Sequence, residues 1–124
     1  MIELVRALGW IELDDIEICP LATLDQLAAF HAPDYLAAFA GAAGAGVASA
    51  EARARYNLGS MECPIFPGVW DRARATVGGA MRAAELALAG HVAFHPAGGT
   101  HHGRRDRASG FCYFNDPVFA ILRL

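Results

Sequence analysis

The sequence is poor in cysteine and has no long run of strongly apolar residues, and each shortage excludes a class of protein. Cys19, Cys63 and Cys112 are odd in number, far apart, and never arranged as CxxC. Neither a disulfide framework nor a cysteine zinc site is indicated, so three reduced thiols are expected. The greasiest stretch, LAAFAGAAGAGVASA, is mostly alanine and glycine and too weakly hydrophobic for a membrane span. MIELVRALGW lacks the basic region and apolar core of a secretory signal. A cytoplasmic location is the expectation. Basic charge is also short: the formal net charge of -3 leaves no global field to hold nucleic acid or anionic lipid.

What is present suits one domain. Its 124 residues are 55% hydrophobic and 19% charged, enough to bury a core and too apolar for disorder. Ile2, Val5 and Leu8 recur at helical spacing up to a stopping Gly9. IEIC, residues 16 to 19, reads as a short strand closed by Pro20. Thr23 and Gln26 form a capping box for a helix with Leu24, Leu27 and Phe30 on one face, and Pro33 opens the next, DYLAAFAGA. From Gly41 to Ala50 only small residues occur, and that helix is expected to fray into a loop reaching Gly68.

The best helix covers 70 to 90, with Gly90 as its cap. Gly78 and Gly79 inside it cost about 1 kcal/mol each relative to alanine, which close packing against a neighbour would explain. HVAF, 91 to 94, reads as a buried strand, and Asn115-Asp116-Pro117 as the cap and first turn of a terminal helix. This alternation predicts an α/β fold with a mostly parallel sheet and ligand loops at the carboxyl ends of strands.

The loop HPAGGTHHGRRDRASGFCYFND, 95 to 116, sits where such a ligand loop belongs. His101 and His102 are suited to proton transfer near neutral pH, or are simply a solvated polar turn. Metal ligation is a third option, unsupported by any HExxH or Cys/His cluster. Arg104, Arg105 and Arg107 could hold phosphate with the backbone of Gly98 and Gly99, but no phosphate-loop motif accompanies them. Gly110-Phe111-Cys112-Tyr113-Phe114 could be a core strand, or its glycine beside the aromatics could open a narrow apolar slot for a ligand, and Cys112 reads as a small buried hydrophobe rather than an activated nucleophile.

AGGTHH at 97 to 102 and RASGFCYFND at 107 to 116 resemble the signature of the zinc-dependent histone deacetylase superfamily. NLGSMECPIFPG at 57 to 68 and TLDQLAAFHAPDYLAAF at 23 to 39 resemble its preceding loop and helix pair. FHPAGG leans towards the bacterial acetoin-utilization type. The resemblance implies a three-layer α/β/α arginase/deacetylase-like fold and hydrolysis of an N-acetyl amide, acetyl-lysine or a small acetyl-amine, by zinc-bound water. It implies His102 as general base and acid, His101 as its electrostatic partner, Gly110 and Phe111 as tunnel wall, and Glu62 as rim carboxylate. The family has aspartate at that rim, in a loop one residue shorter.

The resemblance further implies that residues 1–124 are part of a deacetylase domain. On that resemblance the first strand is expected to be missing, the zinc ligands are expected beyond Leu124, and no metal ligand is expected within the chain. Alone, the chain is expected to be inactive and to self-associate through uncovered sheet edges. The competing reading is a truncated, non-catalytic chain that acts by association with another subunit.

Overall fold

The computed structural model describes residues 2–124. It has six α-helices: α1 (Ile2–Ala7), α2 (Leu24–Ala28), α3 (Pro33–Ala45), α4 (Ala50–Tyr56), α5 (Val69–Leu88) and α6 (Asp116–Arg123). Capping chemistry sets most of their ends. Thr23 and Gln26 close the expected capping box on α2, with Gln26 N–H on Thr23 Oγ1 at 3.2 Å and Thr23 N–H on Gln26 Oε1 at 2.8 Å. Leu27 is buried on that helix, but Leu24 is exposed, a correction to the expected apolar face. At the end of α5, Gly90 takes φ +88°, its N–H on Ala87 O and the His91 N–H on Leu86 O. That is the Schellman pattern.

The expected fraying of 41 to 50 is also corrected. Helix α3 runs through Gly41 and Gly44 and stops only where Gly46 turns left-handed at φ 72°. Alanine's high helix propensity outweighs the glycine cost over that span. The loop expected beyond it contains α4, begun by Ser49, whose hydroxyl accepts the Ala52 N–H at 3.0 Å.

IEIC and HVAF do not form strands, which corrects both expectations. Among the described residues the only bridges are Arg104 with Arg107 and Ser109 with Cys112. A strand needs a ladder partner, and these two segments make no backbone hydrogen bond to one another. IEIC lies along α5, and His95, just past HVAF, reaches the same helix. Arg82 grips Glu17 through two bonds of 2.7 and 2.9 Å, His95 Nε2–H donates to Thr76 O at 3.0 Å, and Cys19 Sγ is 3.7 Å from His95 Nδ1. Their other faces leave Ile18, Val92 and Phe94 exposed.

Gly78 and Gly79 have the close packing that their cost demands. A methyl at Gly78 would stand 1.9 Å from Pro20 O, and one at Gly79 would stand 2.5 Å from the His95 ring. The core lies between α3, α5 and the start of α6. Tyr35, Phe39, Val77, Phe114 and Phe119 are buried there, and the Phe39 ring packs on Trp70 at 5.2 Å and Tyr113 at 4.9 Å.

Candidate active site

The histidine loop departs from the extended segment on α5 and returns at Asn115 to start α6. Its path is set by buried polar anchors. Asp116, buried at the first residue of α6, accepts the N–H of Gly99 at 2.9 Å and of Thr100 at 2.5 Å, and lies against the Thr100 hydroxyl. Asn115 caps the helix through its Oδ1 and uses Nδ2 to donate to His101 O at 3.1 Å and Gly103 O at 2.8 Å.

Beneath the loop lies His31, fully buried among Phe30, Tyr35, Phe114 and Phe119. Its Nε2 accepts the Asn115 N–H at 3.3 Å and its Nδ1 is 3.2 Å from Arg105 O. A carbonyl can only accept, so Nδ1 carries the proton and the ring is neutral. Burial pushes the pKa of His31 down to about 4, against a partial upward pull from the carbonyls of Arg105 and Arg104.

His101 and His102 stand exposed at the tip, ring centroids 4.1 Å apart. Gly99 O, at 2.9 Å from His101 Nδ1, accepts the Nδ1–H of that ring. The side chain of His102 is seated on Gly110: a methyl there would meet His102 Cβ and Cγ at 2.6 Å. Ser109 and Cys112 exchange backbone bonds of 3.0 and 2.9 Å around Gly110 at φ 56° and Phe111 at φ 65°. With both central residues left-handed, this is a type I′ turn, and a phenylalanine there is strained. The strain presents the Phe111 ring outward, 75% exposed.

Phe111 and Glu62 line one open cavity of about 460 Å³, with Pro64, Thr100, Tyr113 and Phe114. Glu62 is not loose: Asn57, left-handed at the end of α4, donates Nδ2–H to Glu62 Oε2 at 2.6 Å and to Ala108 O at 3.2 Å. Tyr113 donates its hydroxyl to Pro64 O, tying the two walls together. Burial raises the Tyr113 phenol to about 12, with Cys63 adding to the rise. Cys63 is raised to about 11 by burial first and by Glu62 next. Cys112 is buried, its thiol on Gly110 O at 3.2 Å.

The structure therefore brings Glu62 to Phe111 across the cavity and His102 to Gly110 across the turn. His101 and His102 themselves are not on the cavity wall. Sequence reasoning missed His31, Asn57 and the loop-holding role of Asp116. Only Asp116 carried a local signal, and it pointed to helix capping. Among the described residues no group of three or more His, Cys, Asp or Glu is placed to hold a metal ion, so the residues present do not fit zinc. No helix is long and apolar enough to cross a membrane.

Two solved structures, one of a histone deacetylase homologue from Aquifex aeolicus and one of a histone deacetylase homologue complexed with SAHA, superpose with TM-score 0.90 at 33% identity. Each match covers 97% of this chain and 32% of the other. These neighbours have the α/β arginase/deacetylase fold, and this chain superposes on their helices and loops while forming no sheet among its described residues. The histone deacetylase domain matches residues 1–124, and the chain belongs to the histone deacetylase family. The acetoin utilization protein AcuC of Bacillus subtilis is 39% identical over 122 residues, covering 96% of this chain and 31% of the relative. Histone deacetylase 8 of Xenopus tropicalis is 37% identical over 123 residues, covering 98% and 33%. The chain spans about a third of the length of the curated relatives it matches.

Proposed function

We propose that this chain supplies the proton-transfer and substrate-gripping part of an acetyl-amide hydrolase. The observation that carries the reading is the seating of the His102 side chain on Gly110, one residue from the Phe111 wall of the cavity that Glu62 rims. In amide hydrolysis, water oxygen bonds to the acetyl carbon and the carbon–nitrogen bond breaks, releasing acetate and an amine. His102 takes the proton from water and returns it to the leaving nitrogen, with the His101 ring beside it as electrostatic partner. Phe111 and Tyr113 flank an aliphatic stem, which gains about 0.8 kcal/mol per buried CH₂. Glu62, fixed by Asn57, receives the substrate's amide or ammonium N–H groups at the rim.

No step is routed through a metal, because the described residues offer none a site. A zinc of the kind family membership implies would need ligands other than these residues. Acetyl-lysine and small acetyl-amines both suit a cavity with one carboxylate at its mouth, and the cytoplasm is where such substrates would be met.

Exposed Ile18, Val92 and Phe94 on the unpaired segments favour a second reading, that the 124-residue chain acts only by association. Acetate release from an acetyl-lysine peptide and from an acetylated polyamine, measured with the full-length gene product and with this chain alone, separates the two. Turnover by the full-length protein supports the first reading. A full-length protein inert on both substrates defeats it.

A further inference from the structure

We propose that Asn115 and Asp116 are positioning residues for His101 and His102, acting as a clamp on the backbone at both ends of the pair; this rests on the hydrolase reading above. Asp116 is 3% exposed, and among the described residues no ion pair includes it. Its carboxylate is satisfied instead by the N–H groups of Gly99 and Thr100, just ahead of the histidines. Asn115 holds the other end through the carbonyls of His101 and Gly103. The division of labour is clear at α6: Asn115 Oδ1 serves the helix cap, which leaves the whole Asp116 carboxylate for the loop.

The clamp reaches the imidazoles through one peptide plane. Asp116 fixes the Gly99 and Thr100 amides, and this fixes the direction of the Gly99 carbonyl. That carbonyl accepts both the backbone N–H and the Nδ1–H of His101, each at 2.9 Å. The clamp therefore positions the His101 side chain through the Gly99 carbonyl, and His102 packs on the His101 ring. Hydrogen bonds to a buried carboxylate are about twice as strong as neutral ones, which suits a loop with few other restraints. Two glycines let the loop close on the clamp. A methyl at Gly98 would press on Asp116 Oδ2 at 3.0 Å, and one at Gly103 would press on the Phe114 carbonyl carbon at 2.6 Å.

Asp116→Asn in the full-length protein keeps the size but sets an NH₂ group against an N–H donor, whichever way the amide turns. The expected result is a 10–100-fold lower kcat for the acetyl-lysine peptide, typical of losing an outer orienting group, with KM within about threefold. The pH profile of kcat should shift, and amide exchange over residues 97–103 should quicken. A merely structural residue would lower the melting temperature and leave kcat per folded molecule and its pH profile unchanged. Should Asp116→Asn fail to fold, Asn115→Asp takes its place: it keeps the cap and loses both Nδ2 bonds, and the same kinetic split is expected. Parent-like kcat and pH profile in a variant whose loop exchange has quickened overturn the inference. A full-length parent without amidase activity overturns the hydrolase reading, and the clamp's catalytic role with it.

Discussion

Gly78→Ala should destabilise the protein, against the usual direction for a glycine inside a helix. Elsewhere in a helix, glycine to alanine gains about 1 kcal/mol from propensity. At Gly78 the new methyl would stand 1.9 Å from the backbone carbonyl oxygen of Pro20 and 2.8 Å from its carbon. Since a carbon normally approaches a carbonyl oxygen to about 3.3–3.6 Å, the 20–22 segment must retreat by roughly 1.5 Å. That movement strains the bonds from Ala22 N to Arg74 O, 3.2 Å, and from Arg74 Nε to Ala22 O, 2.7 Å. Overpacking of about 1–3 kcal/mol and about 1 kcal/mol for each weakened bond exceed the propensity gain. A net loss of about 2–4 kcal/mol follows.

Gly44→Ala, at an exposed position of α3, is the matched control, because nothing lies within 4 Å of its new methyl and its backbone is helical. It should stabilise by about 0.5–1 kcal/mol. Urea unfolding at low protein concentration reads both, through the fluorescence of Trp70, wedged against Phe39 and Phe114. Equal effects of the two substitutions would refute the claim that Pro20 presses on α5 at Gly78.

The pH dependence of stability tests His31. Its folded pKa of about 4 lies below the ordinary 6.5, so the unfolded chain binds the extra proton first. Stability should fall as pH drops from about 6.5 to about 4, by about 3 kcal/mol from this group, and His31→Gln should flatten that part of the unfolding curve. Phe111→Gly should leave stability unchanged or raise it by up to about 1 kcal/mol, because relief of a left-handed phenylalanine offsets glycine's entropy. In the full-length protein it should raise KM for acyl-lysine peptides; a variant that unfolds instead would show that the ring is a structural support. The 124-residue chain should sediment as dimers or larger species, and Ile18→Lys with Val92→Lys should reduce them; a monodisperse parent monomer would contradict this.

Local chemistry was legible where the cause lies within a few residues. The Thr23–Gln26 box, the stop at Gly90 and the Asn115 cap all follow from groups at most five positions apart. Of the motif residues, His102 lies against Gly110, and Glu62 and Phe111 line one cavity. What the sequence could not reveal was long-range polar pairing. His31 finds Asn115 across 84 positions and Asp116 finds Thr100 across 16, and no periodicity records such partners. Strand propensity in IEIC and HVAF misled for a related reason: a strand is a property of a pair, and neither segment has a partner here. Alanine misled at 41 to 45, where its propensity carried α3 past two glycines.

The central claim is that His102 moves the proton in acetyl-amide hydrolysis, and one comparison tests it most directly. Acetate release from an acetyl-lysine peptide should be measured for the full-length protein and its His102→Ala variant, with metal content determined on the same samples. The account predicts a kcat lower by about 10²–10⁴-fold at unchanged metal content, the range for removing a general acid–base group. A kcat within a few-fold of the parent would make the histidine pair a solvated turn, and loss of the metal would make His102 a ligand; either result contradicts the account.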